Sequence, residues 1–208
     1  MASPSQFEHG VDSPPPILPR KFSRGILRGY VKDLERHGLL GQIRSSLSDA
    51  TRQAIDSGNA APRWIDGSVF DDLLCRLVSS AGRQAAFGLG HRAMHGGTVG
   101  VALQPLISFV LSHWADPAAL FARANGMAAI VSQGTLVSWT PKGERQGTLR
   151  LQCEEPVPDA SWAAWEGALS YAFDLTGTSG AIGPTRILDA GKSCEAEVTW
   201  SAKGGRHG

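Results

Sequence analysis

The stretch GTLVSWTPKGERQGTLRLQC, residues 134–153, decides the fold. Before Gly134 the apolar residues recur at helical spacing; after it they alternate. Thr135, Val137 and Trp139 fall on one side of an extended chain, Leu136 and Ser138 on the other. Pro141-Lys142-Gly143 predicts a turn. Leu149, Leu151 and Cys153 then alternate with Thr148, Arg150 and Gln152, so the stretch reads as a hairpin with one apolar face.

Outward toward the C-terminus, Trp162, Trp165, Leu169, Ala172 and Phe173 form a helical stripe after an Asp159 or Ser161 cap, and Gly177 ends it. Ile182 to Leu188 predicts one strand and Asp189 to Lys192 a turn. In the last strand Cys194, Ala196, Val198 and Trp200 face one way and Glu195, Glu197 and Thr199 the other. The order is ββαββ.

Toward the N-terminus the pattern is helical. Ile26, Leu27, Tyr30, Val31 and Leu34 make one stripe, broken at Gly38; Leu39, Leu40, Ile43 and Leu47 make a second. Ser48 or Asp49 caps a third short helix. Trp64 to Ser80 carries a wide stripe through Ile65, Val69, Leu73, Leu74, Leu77 and Val78. A helix from Ala81 to Met94 follows, with Ala85, Ala86 and Leu89 as packing residues and Gly96-Gly97 as its stop. Thr98 opens another that reaches Trp114 and contains Pro105. Asp116-Pro117 starts the last, with Leu120, Phe121, Ala124, Ile130 and Val131. The expected fold is α+β: about six helices packed on a four-stranded antiparallel ββαββ sheet, with the Trp162 helix covering one face.

With 208 residues the chain is long enough to bury a core. Residues 1–19, with three consecutive prolines, read as a disordered lead. Residues 20–202 read as one domain, with a helical half at 20–132 and a sheet half at 133–202, and residues 203–208 as a tail. A net charge of +1 lacks the basic field of a nucleic-acid binder, so no nucleic-acid partner is expected. No apolar run spans a membrane and no secretory signal opens the chain; the expected location is cytoplasmic. Cys75, Cys153 and Cys194 form no CxxC pair, which argues against a disulfide scaffold and a structural zinc site and for buried thiols.

These elements resemble a paralogous family of myxobacterial proteins of unknown function. At greater distance they resemble the haem-NO-binding and 4-vinyl-reductase-like sensor domains. The matching stretches are PRWIDGSVFDDLLCRLV, AAFGLGHRAMHGGTVGVALQPLI, DPAALFARA, SWAAWEGALSYAFDLTG and CEAEVTW, spanning about residues 22–200. The resemblance implies a helical half on a four-stranded antiparallel sheet, with an apolar cavity between them. It also implies a bacterial source, with which the Ala, Gly and Arg usage is compatible. In haem-binding relatives a helix histidine ligates the iron and a Tyr-x-Ser-x-Arg group contacts the propionates. That group is absent here, where the tyrosines are Tyr30 and Tyr171.

His91 and His95 are the metal or haem candidates, because four-residue spacing puts two imidazoles on one helix face. HRAMH lacks the glutamate of a metalloprotease HExxH helix, and His95 sits where a cation suits a helix end; no metal is the primary expectation. His37 and His113 read as helix ends, and His9 and His207 fall in the tails. GLGHRAMHGG is not a phosphate loop, and no Gly-x-Ser-x-Gly elbow occurs. Cys75 sits on an apolar helix flank. Arg20, Arg24 and Arg28, four apart, would share a helix face able to dock on an acidic partner or phosphate surface, or simply be solvated.

Six Trp stand against two Tyr, and Trp139, Trp162, Trp165 and Trp200 lie in the sheet half; they fill a core or line a pocket. Phe87, His91, His95, Trp139, Trp165 and Phe173 are the residues expected at a pocket between the halves. The functional expectation is a non-enzymatic cytosolic sensor or adaptor, binding an apolar small molecule or a protein partner and compatible with homo-oligomers. No cofactor is expected. The alternatives are a haem or metal sensor using a helix histidine, and a small enzyme with an unrecognised site.

Overall fold

The computed structural model describes residues 18–96, 108 and 116–201. The expected Thr98–Trp114 helix, with Pro105 and His113, lies outside the described residues except at residue 108, and so do most of the lead, the tail, His9 and His207.

The first half is helical. Strand β1 (Lys21–Ser23) leads into α1 (Arg24–Arg36), which buries Ile26, Leu27, Tyr30 and Leu34. His37 is its C-cap, and α2 (Leu39–Ile43) follows. Helix α3 (Asp49–Asp56) is capped by the Ser48 hydroxyl, which accepts from the Thr51 N–H. Strand β2 (Trp64–Asp66) precedes α4 (Gly67–Ala81), whose cap is the Asp66 carboxylate. Trp64 and Ile65 are thus extended rather than helical: Asp66 takes the Ser68 N–H at 2.9 Å, which fixes the helix start beyond them. Helix α5 spans Arg83–Gly96, starting two residues later than expected. Asp116 caps α6 (Pro117–Phe121) as expected, but the helix breaks at Ala122–Arg123 and resumes as α7 (Ala124–Val131).

The second half is the sheet. Strands β4 (Thr135–Gly143) and β5 (Gln146–Cys153) form the hairpin. Pro141 and Lys142 belong to β4, with a register shift between Pro141 and Gly143, and the turn is at Glu144–Arg145. Leu149, Leu151 and Cys153 are buried at 1%, 4% and 2% exposure, which confirms the inferred register, since a one-residue slip would expose all three. Helix α8 (Asp159–Thr176) has Pro158 rather than Asp159 or Ser161 at its N-cap and Gly177 in the left-handed conformation at its C-cap. Trp162 is fully buried against the sheet core.

Two features depart from a single four-stranded sheet. The segment expected as one strand divides into β6 (Gly180–Ile182) and β7 (Arg186–Leu188), both paired with β8 (Ser193–Trp200). Pro184 lies in the gap, where it has no N–H to offer the ladder. The sheet therefore has five strands, in the order β4-β5-β8-β6 with β7 also on β8. A second sheet, β2-β1-β3, uses β3 (Ser132–Gln133) and ties the chain before α1 to the entrance of the hairpin. Its strands are two or three residues long, too short to carry a period. Gly134, between β3 and β4, has φ +69°, and a Cβ there would lie 2.1 Å from the Leu18 carbonyl oxygen. The period switch seen in the sequence is thus a point where only glycine fits.

Candidate functional site

Among the described elements, α5 and α8 are the most closely packed helix pair. A Cβ on Gly167 would lie 1.9 Å from the Phe87 carbonyl oxygen, so the helix backbones touch. Arg83 bridges one end of the pair, with Nη1 and Nη2 donating to the two Glu166 carboxylate oxygens at 2.9 and 2.8 Å and Nε to Asp159 at 3.0 Å.

Two apolar slots open beside this contact. The first lies among α1, α4, α5 and α8, with Phe22, Ile26, Tyr30, Phe70, Gly90 and Trp165 in its wall. The second lies among α5, α6, α7 and α8, walled by Leu120, Phe121, Met127, Leu169 and Tyr171. They are narrow, with cavity volumes of about 70 and 80 Å³, and both open partly to solvent. Met94, Val131, Trp165 and Ala168 border both, so Trp165 stands between them. Its ring lies 6.2 Å from Phe22, which in turn packs on Phe70 at 4.6 Å.

Polar groups in the described walls are few: the Tyr30 and Tyr171 phenols, the Ser161 hydroxyl and the Trp165 indole. Burial pushes the Tyr30 phenol above its ordinary range, so it remains a neutral group. The Ser161 hydroxyl donates to Asp71 Oδ1 at 2.5 Å, and Asp71 also takes a close ion pair from Arg20. Arg20 is 7% exposed, and its Nε and Nη1 have no hydrogen-bond partner among the described residues.

The six pocket candidates do not converge in the described structure. Trp165 lines both slots. Trp139 and Phe173 lie in the sheet core, each packed on Phe121, with Trp139 also against Trp200. Phe87, His91 and His95 follow one another at four-residue spacing on a neighbouring face of α5 from Gly90 and Met94 and border neither slot. There His91 and His95 meet Asp174 and Tyr171 of α8.

The three docking arginines also separate. Arg20 precedes α1, paired and buried, so it cannot share the helix face. Arg24 donates to the backbone carbonyls of Asn59 and Ala61, and Arg28 is exposed. Burial, with Asp71 and Asp72 adding to it, raises the Cys75 thiol, and burial pushes Cys194 up to about 12. Neither is a ready thiolate. The signal missed in the sequence is Tyr30: its helical stripe placed it in a core, and it contributes a phenol to the first slot.

No protein-family model matches the chain, and no curated protein matches it. Solved structures do. An Fe(II) unliganded H-NOX protein from K. algicida is 11% identical, with TM-score 0.65, covering 86% of this chain and 97% of that one. A mutant of the H-NOX protein from T. tengcongensis is 8% identical, with TM-score 0.58, covering 86% and 98%. A structure on haem distortion in the H-NOX family is 8% identical, with TM-score 0.57, covering 86% and 95%. At such identity the likeness concerns the fold, and it bears out the distant resemblance to haem-NO-binding domains at that level: this chain is folded as the H-NOX structures are.

Proposed function

We propose that the chain is a sensor module of H-NOX fold that takes up a flat apolar small molecule in the cleft beside α5 and α8. The observation that carries this reading is the pair of adjoining slots with Trp165 between them. Aromatic walls supply contact area, and Tyr30, Ser161 and the indole N–H supply direction. Occupancy would be felt in both halves, because α8 packs on α5 with one side and on the sheet with the other. A cytoplasmic protein partner that reads this change completes the proposal.

Haem is the second reading, favoured by the fold likeness. The expectation of no cofactor draws no support from these neighbours, one of which concerns haem distortion. Bound haem would supply an iron able to take up a diatomic gas. The apolar, aromatic walls suit a macrocycle. Among the described residues, however, no histidine and no basic side chain lines either slot, so they offer neither an iron ligand nor a partner for the propionates. The described donor set does not fit haem.

The deciding experiment is the visible spectrum of the purified protein together with mass spectrometry of what co-purifies. An apolar molecule without a Soret band, lost in Trp165→Ala, is the expected result. A stoichiometric Soret band would replace this reading with the haem sensor. An empty protein that takes up no apolar fluorescent probe would sink both.

A further inference from the structure

His91, His95 and Asp174 bring two imidazoles and a carboxylate to one point outside the cleft. Four-residue spacing puts the two rings on one face of α5, centroids 4.9 Å apart. Asp174 arrives from the last turn of α8. His95 Nε2 hydrogen-bonds to Asp174 Oδ2 at 2.9 Å. His91 Nε2 approaches the same oxygen at 3.0 Å without making a hydrogen bond among the described residues. One carboxylate oxygen therefore has two ring nitrogens crowded against it, and a hydrogen bond accounts for only one. All three donor atoms lie within 4.8 Å of one another.

We propose that these three residues form a site for a borderline divalent metal ion of the zinc class. Two imidazoles and one carboxylate are a donor set that suits zinc, nickel or copper better than calcium or magnesium. With metal–ligand bonds near 2.0–2.1 Å in tetrahedral geometry, ligand atoms stand about 3.3 Å apart. The Asp174 oxygen, at 2.9 and 3.0 Å from the nitrogens, already stands within a few tenths of an ångström of that separation from each, and small side-chain rotations would open the space for the ion.

The frame is stiff where it matters. The α5–α8 backbone contact fixes the helices that carry the ligands. Phe87 stacks parallel to His91 at 6.4 Å, and Tyr171 sits edge-on to it at 6.0 Å and against His95 at 4.4 Å. These contacts limit ring rotation before any ion arrives. His95 and Asp174 are about half exposed, so the remaining coordination positions face water, as in open three-ligand sites. The ion would link the C-terminal turns of α5 and α8, as Arg83 links their N-terminal ends.

The test is titration of the full-length, tag-free protein with Co(II), followed by visible d–d absorption, with Zn(II) as competitor. One Co(II) per chain, displaced by Zn(II), is expected. His95→Gln and Asp174→Asn should each weaken binding at least about tenfold, since losing a ligand costs no less than losing an outer-shell partner. Both positions are half exposed, and an unchanged far-UV spectrum and melting temperature of the metal-free variants show that the fold survives. Should either variant misfold, His91→Gln takes its place. No bound Co(II), or binding unchanged in the folded variants, overturns the site.

Discussion

A Cβ on Gly90 would lie 1.9 Å from the carbonyl oxygen of Ala164. With Gly167 against Phe87, this makes the α5–α8 interface a contact of backbone on backbone. The slots and the histidine cluster both depend on where that contact holds the two helices.

Gly90→Ala should therefore destabilise the fold by about 1–3 kcal/mol, the usual cost of overpacking, because the obstructing atoms are backbone and cannot swing away. Gly29→Ala on α1 is the control. A Cβ at Gly29 meets nothing within 4 Å, so this change should stabilise by about 0.5–1 kcal/mol. Denaturant melts of the two variants give opposite signs if the contact is as described.

Trp162 and Trp165, three residues apart on α8, should respond differently to truncation. Trp162 is fully buried and lines neither slot, so Trp162→Ala should cost about 3–5 kcal/mol. Trp165 already borders two cavities, so Trp165→Ala should cost clearly less and instead alter uptake of an apolar probe such as ANS. Equal penalties would mean that Trp165 is ordinary core.

Asp71 is the partner of buried Arg20 and the acceptor of the Ser161 hydroxyl, so it joins the chain before β1 to α4 and α8. Asp71→Ala leaves the guanidinium buried without its counter-charge and should cost about 3–5 kcal/mol in urea unfolding. A loss below about 1 kcal/mol would show that water reaches Arg20.

Acid should weaken the helix starts. The hydroxyl and N–H of Ser68 hold Asp66 below the ordinary carboxylate range. For Asp72, burial acts upward, but bonds from Ser48, Thr51 and Arg76 outweigh it and the net shift is downward. A depressed folded-state pKa contributes stability that is present above the unfolded value, about 3.9, and is lost as pH falls through the folded value. The melting temperature should be insensitive to these two groups from about pH 7 to 5 and fall below about pH 4. Asp66→Asn should reduce that acid-induced fall; an unaltered acid limb would remove Asp66 as a contributor.

The sequence by itself determined the elements whose pattern is local. Val137, Leu149, Leu151, Ala196 and Val198 alternate because one sheet face is buried, and that face is visible in period two without knowing what covers it. Ser48, Asp116 and Gly177 act on backbone groups within a few residues, so their roles as helix boundaries were legible too. What only the tertiary structure decided are the meetings between distant segments. Strands of two or three residues in β1, β2 and β3 exist because the second sheet pairs them, not through any pattern of their own. Arg20 reads in the sequence as one of three surface cations, but Asp71, 51 residues away, stands beside it. His91 and His95 declare a shared face, but the carboxylate they share lies 79 residues beyond His95. Spacing along one helix fixes which side chains stand together. Which side chain of another helix arrives among them is set by how closely Gly90 and Gly167 let the two backbones approach.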